Sequence, residues 1–290
     1  MNSSKPVVAL ESTIISHGMP YPENLTCAIS IEQTVKDAGA QPATIGILDG
    51  EIHIGLTSSQ LERFAKLGPA CAKCSRRDVS FIMSQKGNGA TTVAATIWLA
   101  HRAGISIMAT GGIGGVHRGG ESSLDISADL TELGRTPVIV VCAGVKSILD
   151  IPRTLEFLET QGVAVITLGS DEFPAFFTRK SGCKSPLVAD SVETVAKILR
   201  TSQELQNQAG IVVAVPIPYE YEADGKEIES AIQQSLVEVE QQHVIGRDVT
   251  PFVLKRIYEL TQGRSLTANI ALVKNNARVA AEIVTAHRKA

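Results

Sequence analysis

Two side chains stand out because each directly follows an apolar segment of the chain. Lys146 comes after the strongly apolar residues 138–143, and Glu11 comes after residues 7–10. A lysine at the edge of a hydrophobic core is partly desolvated, which favours the uncharged amine that attacks a carbonyl. A carboxyl group placed in the same way can serve as a general acid or base. The alternatives are a solvated surface lysine, and a glutamate that caps or ion-pairs with the next element.

A second pair of candidates is Asp125 and Asp129, which are four residues apart. This spacing predicts that both carboxylates lie on one side of a short helix over residues 125–133. One of them can hold a hard divalent ion through oxygen and water, as magnesium and manganese prefer. The alternative is that both belong to the solvated start of a helix.

The most glycine-dense part of the chain is residues 111–120, which also contains His117 and Arg118. It does not match G-x-G-x-x-G, because the third glycine position counted from Gly112 is His117, and no Gly-Lys-Ser/Thr follows. Its exposed backbone amides can still cradle a phosphate, with His117 and Arg118 as candidate cations. The alternative is a flexible connector.

These candidates need a scaffold that brings the ends of several strands together. Short apolar runs predict strands over residues 7–10, 43–48, 51–55, 79–83, 105–110, 138–143, 163–168 and 210–215. Helical spacing predicts helices over residues 23–39, 57–67, 93–103, 125–133, 151–161, 191–206, 228–242, 250–261 and 265–290. This alternation predicts an α/β fold with a mostly parallel sheet covered on both faces.

The loops that follow these strands are the expected place for a site, because ligands of open α/β sheets bind beyond the carboxyl ends of the strands. Four polar loops qualify, and they contain Glu11, residues 87–92, residues 111–125 and Lys146. Residues 87–92 are predicted to be a small-residue loop that opens the helix over residues 93–103. We expect the four loops to converge.

Composition limits the classes of function. The 290 residues are 44% hydrophobic and 20% charged, and neither a linker nor a repeat is evident, so one globular domain over residues 1–290 is expected. A net charge of -3 and 4% aromatic residues give no reason to expect a nucleic-acid polymer as partner. No apolar run reaches the length of a membrane span.

Neither the cysteines nor the chain ends suggest a secreted protein. The five cysteines are widely spaced and odd in number, which does not favour a disulfide framework. Cys71 and Cys74 form a single C-x-x-C pair, which is weak evidence for zinc. The first residues resemble neither a secretory signal nor a transit peptide. A cytoplasmic location is expected, with an organelle or peroxisome as the alternative if a targeting segment precedes this sequence.

Taken together, several blocks resemble the pseudouridine-5'-phosphate glycosidase family, also known as the indigoidine synthase A-like family. They occur in family order along nearly the whole chain, and several long blocks are far more specific than any single motif. The blocks are VALESTIISHGMP at residues 8–20, SRRD at 75–78, GNGATTV at 87–93, ATGGIGGVHR at 109–118, DISADL at 125–130, CAGVKSILD at 142–150 and NIALVKNNA at 269–277.

The resemblance implies a role for each candidate. Lys146 would form a covalent adduct at C1' of the ribose, Glu11 would donate a proton, and Asp125 would hold Mn²⁺ largely through waters, with Mg²⁺ as another suitable ion. Asn269 would line the pocket for the base. The remaining residues expected to contact substrate are Lys73, Val93, Thr110, His117, Arg118, Ser127, Ala128 and Asp129. The implied fold is a three-layer α/β/α sandwich, and the implied assembly is a homotrimer.

The implied activity is a carbon–oxygen lyase that reversibly converts pseudouridine 5'-phosphate into uracil and ribose 5-phosphate. The base is joined to C1' by a carbon–carbon bond, so no oxygen or nitrogen leaving group can be protonated. An uncharged lysine, a proton-shuttling carboxyl and a group that positions the phosphate meet this difficulty. Two alternatives remain open at this point: a Schiff-base aldolase that acts on a sugar phosphate through Lys146, and a non-catalytic nucleotide-binding regulator.

Overall fold

The computed structural model describes residues 5–244 and 249–289. Within these residues the chain alternates between strands and helices, as its hydrophobic pattern predicts. The strands are β1 (Val7–Leu10), β2 (Gln41–Leu48), β3 (Glu51–Ile54), β4 (Ala72–Cys74), β5 (Gly89–Thr91), β6 (Ile107–Ala109), β7 (Val116–His117), β8 (Ile139–Cys142), β9 (Leu149–Asp150), β10 (Ala164–Leu168), β11 (Leu187–Ala189) and β12 (Ile211–Ala214).

Helices connect most of these strands and form the outer layers. They are α1 (Thr13–His17), α2 (Glu23–Asp37), α3 (Ser58–Leu67), α4 (Val79–Ser84), α5 (Val93–Arg102), α6 (Gly120–Ser123), α7 (Ala128–Leu133), α8 (Ile151–Thr160), α9 (Val192–Glu204), α10 (Gly225–Gln241), α11 (Val249–Leu260) and α12 (Arg264–Lys289). Residue 290, the last residue of the helix predicted over 265–290, lies outside the described residues.

Ten strands form one central sheet in the order β11-β10-β12-β8-β6-β1-β2-β5-β4, with β3 paired to β2. The pairs from β11 through to β2 are parallel, whereas β3 and β5 pair with β2 in the antiparallel sense. Strands β8 and β12 read Ile-Val-Val-Cys and Ile-Val-Val-Ala and are buried throughout, as central parallel strands should be. The expected α/β class with a mostly parallel, mixed sheet is confirmed.

Helices pack on both faces of this sheet, which gives the expected α/β/α sandwich. Helices α2, α9 and α12 pack together, and α12 also contacts β1, β6 and β8. Helices α5, α7 and α8 pack in a second layer, in which α5 contacts β1, β2 and β6. The three strands that α12 contacts are neighbours in the sheet.

Local sequence explains where several helices begin. Thr57 and Gln60 form a capping box at α3, in which each side chain accepts a hydrogen bond from the other residue's backbone. Asp150 caps α8 by accepting from the N–H of Arg153 at 3.0 Å. Asp224 caps α10 in the same way. These polar residues bind orphan N–H groups, which is why the helices begin close to where the sequence predicts.

The strand predicted over residues 79–83 is wrong, because this segment is helix α4. Val79 and Ile82 are three residues apart and buried, whereas Phe81 is 69% exposed, which is helical rather than alternating periodicity. Ser75 and Asp78 form a capping box around the single turn Arg76–Asp78 that precedes the helix. This capped turn leads directly into helix α4, which takes the place of the predicted strand.

Several further elements differ from the sequence-based expectation. Residues 89–91 of the predicted loop over 87–92 form strand β5, and strands β4, β7, β9 and β11 and helices α1 and α6 were not expected at all. The helix predicted over residues 125–133 begins only at Ala128, because Ser127 is its cap and accepts from the N–H of Asp129 at 3.3 Å. Asp125 therefore lies before the helix, and the two aspartates do not share a helix face.

Candidate active site

Neighbouring strand ends bring the two main candidates into one cavity. Strands β1, β6 and β8 are adjacent and parallel, so Glu11, Thr110 and Lys146 follow them at the same edge of the sheet. Three of the four loops expected to converge, those with Glu11, residues 111–125 and Lys146, meet at this cavity, whereas no residue of 87–92 lines it. The cavity is lined by Glu11, Thr13, Ile14, His17, Gly18, Lys73, Thr110, Gly111, Gly112, Lys146, Phe176, Pro251, Leu254 and Asn269.

Glu11 is held in a form suited to proton transfer. Its side chain is 9% exposed, and the Thr110 hydroxyl donates a hydrogen bond to Oε1. Burial raises the pKa of Glu11 above its usual range, although nearby Lys146 and the Thr110 hydroxyl act in the opposite direction. A carboxyl with a raised pKa keeps its proton to higher pH and can therefore donate it to a substrate.

Lys146 lies in a tightly fixed turn after β8. Its N–H donates to the carbonyl of Ile113 at 3.1 Å, and its own carbonyl accepts from the N–H of Leu149 at 3.0 Å. The turn depends on Gly144, whose φ is 93° and whose added Cβ would lie 2.4 Å from the carbonyl oxygen of Pro174. The side chain of Lys146 is half-buried and close enough to Glu11 to lower that group's pKa.

Lys73 reaches the same cavity from the edge of the sheet. It is the middle residue of β4, paired in register with Ala90 of β5. Its charge is felt at His117, because Lys73 and Lys146 both lower the pKa of that imidazole. The sequence placed Lys73 in the site only through the family resemblance, since β4 was not expected.

His117 and Asp125 form a loose pair beside the cavity. The imidazole Nδ1 lies 3.8 Å from Oδ2 of Asp125, whose side chain is 43% exposed. Burial lowers the pKa of His117, the two lysines lower it further, and Asp125 alone opposes them. A neutral imidazole beside an accessible carboxylate can bind a metal ion or donate a hydrogen bond to an anion.

Asp129 has a different role from Asp125. Its carboxylate is 6% exposed and accepts from the N–H of Ala94 and from the N–H of Gly114, each at 2.9 Å. It thereby joins the start of α5 to the glycine-rich loop. Gly114 must be glycine here, because an added Cβ would lie 2.1 Å from the Ser127 hydroxyl and 2.8 Å from Asp129.

The remaining predicted contacts surround this junction. Val93 is the buried first residue of α5, whereas Ala128 is exposed at the start of α7. Asn269 projects from α12, and its Oδ1 would lie 3.4 Å from a Cβ added to Gly111. Because Ser127 donates its N–H to the carbonyl of Gly115 at 3.0 Å, the starts of α5 and α7 and the glycine-rich loop form one unit.

Arg118 is not brought into the cavity that contains Lys146. Its guanidinium donates to both carboxylate oxygens of Glu229, at 2.8 and 3.1 Å. It lines a neighbouring open cleft of about 840 Å³ together with Asp150 and Ser147. Contact between Arg118 and substrate stays a prediction that this geometry does not favour.

Residues 5–244 and 249–289 contain no group of three or more His, Cys, Asp or Glu side chains that could hold a metal ion. A divalent ion at Asp125 would therefore take most of its ligands from water or substrate, which agrees with a hard ion bound by one carboxylate. All five cysteines are free thiols. None of the described helices has the length and hydropathy needed to cross a membrane.

Sequence reasoning did not single out His17, Phe176 or Asn276. His17 and Phe176 line the cavity, and Asn276 is a fully buried residue of α12 that binds the loop after β6. The available signal for Asn276 was a polar residue within the apolar face of a helix, seven positions after Asn269. Phe176 follows no pattern that separates it from other core aromatics.

The comparison with known proteins places the chain in a family. Residues 1–286 match the profile described as indigoidine synthase A like protein. The chain belongs to the indigoidine synthase A-like family. Many relatives in this family bear the name pseudouridine-5'-phosphate glycosidase, as the resemblance in the sequence predicts. The relative from Arabidopsis thaliana is 55% identical over 99% of this chain and 87% of its own length. The relative from Staphylococcus aureus is 52% identical over 100% of this chain and 94% of its own length.

Two solved structures of the family share the fold. One is the prealnumycin C-glycosynthase AlnA in complex with ribulose 5-phosphate, with a TM-score of 0.89 and 38% identity over 98% of this chain and 92% of that one. The other is an indigoidine synthase A-like protein from Thermotoga maritima, with a TM-score of 0.89 and 39% identity over 97% of this chain and 92% of that one.

Proposed function

We propose that this protein is a pseudouridine-5'-phosphate glycosidase, which reversibly converts pseudouridine 5'-phosphate and water into uracil and ribose 5-phosphate. The observation that carries the proposal is the placement of Glu11 and Lys146 in one cavity of a chain that matches glycosidase relatives almost end to end. A buried carboxyl with a raised pKa and a lysine beside it supply the two groups that the reaction needs.

The proposed reaction begins with the opening of the ribose ring. As the base releases its N1 proton, the C1'–O4' bond breaks, O4' keeps the electron pair of that bond and takes up a proton, and C1' becomes doubly bonded to C5. The amine of Lys146 then adds to C1', the electron pair of this double bond moves into the pyrimidine ring, N1 regains a proton, and the nitrogen of Lys146 releases its surplus proton to solvent. Glu11 then donates a proton to C5 of the base. The nitrogen lone pair of Lys146 expels uracil as the C1'–C5 bond breaks and an iminium forms. Water hydrolyses the iminium and releases ribose 5-phosphate, and the lysine is regenerated.

Substrate binding is assigned to the surrounding elements. The phosphate is bound by Lys73 and by the glycine-rich loop, because oriented backbone N–H groups and helix starts favour anions. Val93 and residues 127–129 contribute through the starts of α5 and α7, since the carboxylate of Asp129 is already engaged by the backbone. His117 contributes from the loop, and Asn269 lies beside the base.

A manganese ion fits this site if it takes most of its ligands from water or substrate and few from the protein. Asp125 would hold it, with His117 adjacent, and its charge would offset the negative charge of the phosphate. Because Asp125 supplies a single carboxylate with an accessible side chain, we expect binding of the ion to the protein alone to be weak and to strengthen with ribose 5-phosphate. We also propose that the protein is a homotrimer and is located in the cytoplasm. Sedimentation velocity measures the oligomeric state.

The decisive experiment is incubation of the protein with pseudouridine 5'-phosphate and Mn²⁺, with release of uracil followed by chromatography. Wild type and Lys197→Ala, which changes an exposed lysine of α9 that does not line the cavity, should both release uracil, and Lys146→Ala should not. Turnover of aldol substrates in place of pseudouridine 5'-phosphate would instead indicate a Schiff-base aldolase. Ligand binding without any turnover, retained in variants of Glu11 and Lys146, would indicate a regulator.

A further inference from the structure

Asn276 connects the C-terminal helix to the loop on which the cavity is built. Its side chain is 0% exposed, and its Nδ2 donates to the carbonyl of Thr110 at 2.8 Å and to the carbonyl of Gly111 at 3.3 Å. Both acceptors belong to the segment that follows β6. One amide group of α12 thus fixes two consecutive peptide units.

Those two peptide units position both groups that the proposed reaction uses. The hydroxyl of Thr110 donates to Glu11. The carbonyl of Gly111 accepts from the N–H of Ala143 at 2.8 Å, three residues before Lys146. A shift of this segment would therefore move the Thr110 hydroxyl, which contacts Glu11, and would also move the turn that carries Lys146. A misplacement of about 1 Å in reacting groups can reduce the rate of catalysis by about 10²-fold.

The other half of the Asn276 amide argues against a purely structural role. Its Oδ1 is buried and has no hydrogen-bond partner among the residues that the structure describes. An unsatisfied buried acceptor is unfavourable for folding, and an apolar side chain of the same shape would remove that penalty. In Asn276, the unsatisfied Oδ1 lowers the stability of the fold, whereas Nδ2 makes two hydrogen bonds to the backbone of the loop. Such a local disadvantage is typical of a residue that is kept for function.

The rest of the helix face supports the same segment. Asn269, Val273 and Asn276 are spaced by four and three residues, so they lie on one face of α12. A Cβ added to Gly111 would lie 3.0 Å from Val273 and 3.4 Å from Oδ1 of Asn269. The face that lines the cavity through Asn269 therefore continues directly into the contact made by Asn276.

We infer that Asn276 is a positioning residue, which holds Thr110 and Gly111 so that Glu11 and Lys146 stay aligned for the reaction. The inference rests on the proposed glycosidase function for its kinetic consequences. The hydrogen bonds of Asn276 with the loop do not depend on that function. Their effect can therefore also be measured without turnover, through the titration of the Glu11 carboxyl.

The test is Asn276→Leu, which keeps the branched shape and removes both the donor and the unsatisfied acceptor. We expect the variant to fold with a lower midpoint of unfolding in urea, because the carbonyls of Thr110 and Gly111 lose their donor. We also expect a fall in kcat of at least tenfold and a KM within about threefold of wild type. Wild-type kcat in this variant would overturn the inference. Absence of activity in the wild-type protein would instead count against the proposed function.

The readout that needs no turnover is the titration of the Glu11 carboxyl, followed by carbon NMR. Charges that face Glu11 come from Lys146 and Asp129, and neither is altered by the substitution. Because the Thr110 hydroxyl lowers the pKa of Glu11, loosening it should move the titration midpoint upwards. An unchanged midpoint in Asn276→Leu would overturn the inference even if activity were lost.

Two further variants keep the test decisive. Thr285→Val changes another residue of α12 whose hydroxyl is buried and unsatisfied, near Gly39, and it should leave kcat and the Glu11 midpoint unchanged. Thr110→Val removes the hydroxyl without touching α12, so it applies even if Asn276→Leu does not fold. It should raise the Glu11 midpoint, and the double variant should show less than the sum of the two changes. Additive changes would mean that Asn276 does not act through Thr110.

Discussion

The backbone N–H of Lys146 donates to the carbonyl of Ile113 at 3.1 Å, which ties the turn after β8 to the glycine-rich loop after β6. Residues 113 and 145 also form an isolated parallel bridge. The lysine is thus positioned by two adjacent strands and not by a mobile surface loop. Since Glu11 follows the next strand in the sheet, the two residues proposed to react lie on adjacent strands of one sheet.

The covalent step gives the first prediction. Borohydride added during turnover should reduce the lysine–ribose imine to a stable secondary amine, and peptide mapping should locate it on Lys146. Lys146→Ala should give neither adduct nor turnover. Lys146→Arg should fail as well, because a guanidinium keeps its proton and cannot attack. Lys197→Ala should be trapped like wild type, and a label found on Lys73 would mean that the wrong lysine has been assigned as nucleophile.

The second prediction concerns proton transfer by Glu11. Glu11→Gln keeps the shape of the side chain and can still accept from Thr110, but it has no acidic proton to give to the base. Turnover should fall by about 10²- to 10⁴-fold while KM changes little, which steady-state kinetics measures. A loss smaller than about tenfold on that scale would show that Glu11 only positions other groups.

The third prediction is a pH dependence of stability that arises from the same residue. Because burial raises the pKa of Glu11 in the folded protein, folding favours the protonated form. The contribution of Glu11 is fully present below the unfolded pKa of 4.5 and is lost as the pH rises through the higher folded value. Glu11→Gln cannot ionise, so its free energy of unfolding relative to wild type should increase with pH across that window. Urea titrations at several pH values measure this difference, and a difference that falls with pH would contradict the direction of the shift.

The fourth prediction separates Asp125 from Asp129. Asp129→Asn should destabilise the fold by about 1–3 kcal/mol, because an amide can accept only one of the two buried N–H bonds and opposes the other with its own donor. Asp125→Asn should leave the urea midpoint unchanged, since that side chain is 43% exposed.

Metal dependence is measured on the same pair of variants. Chelation should abolish turnover by wild type, and Asp125→Asn should bind Mn²⁺ more weakly in calorimetric titrations with ribose 5-phosphate present. Full turnover in excess chelator would exclude a required ion. Equal manganese affinity in Asp125→Asn and wild type would exclude Asp125 as its ligand.

What the sequence determined by itself was the order of elements and the blocks that carry the chemistry. Apolar periodicity placed most helices and the main strands of the parallel sheet, because burying one helix face or a whole strand constrains the pattern directly. Glu11 and Lys146 could be singled out because polar residues that follow buried strands must emerge at the edge of the sheet. Most of the substrate residues, Lys73 among them, came from resemblance to the family alone.

What only the tertiary structure decided depends on contacts between residues distant in the chain. The different roles of Asp125 and Asp129 follow from two backbone N–H groups, at Ala94 and Gly114, that no local spacing reveals. Segment 79–83 is helical because a capped turn precedes it and because a helix buries Val79 and Ile82 on one face. Asn276 lies 166 residues from Thr110, so its hydrogen bond to the loop after β6 exists only because α12 packs against β1, β6 and β8.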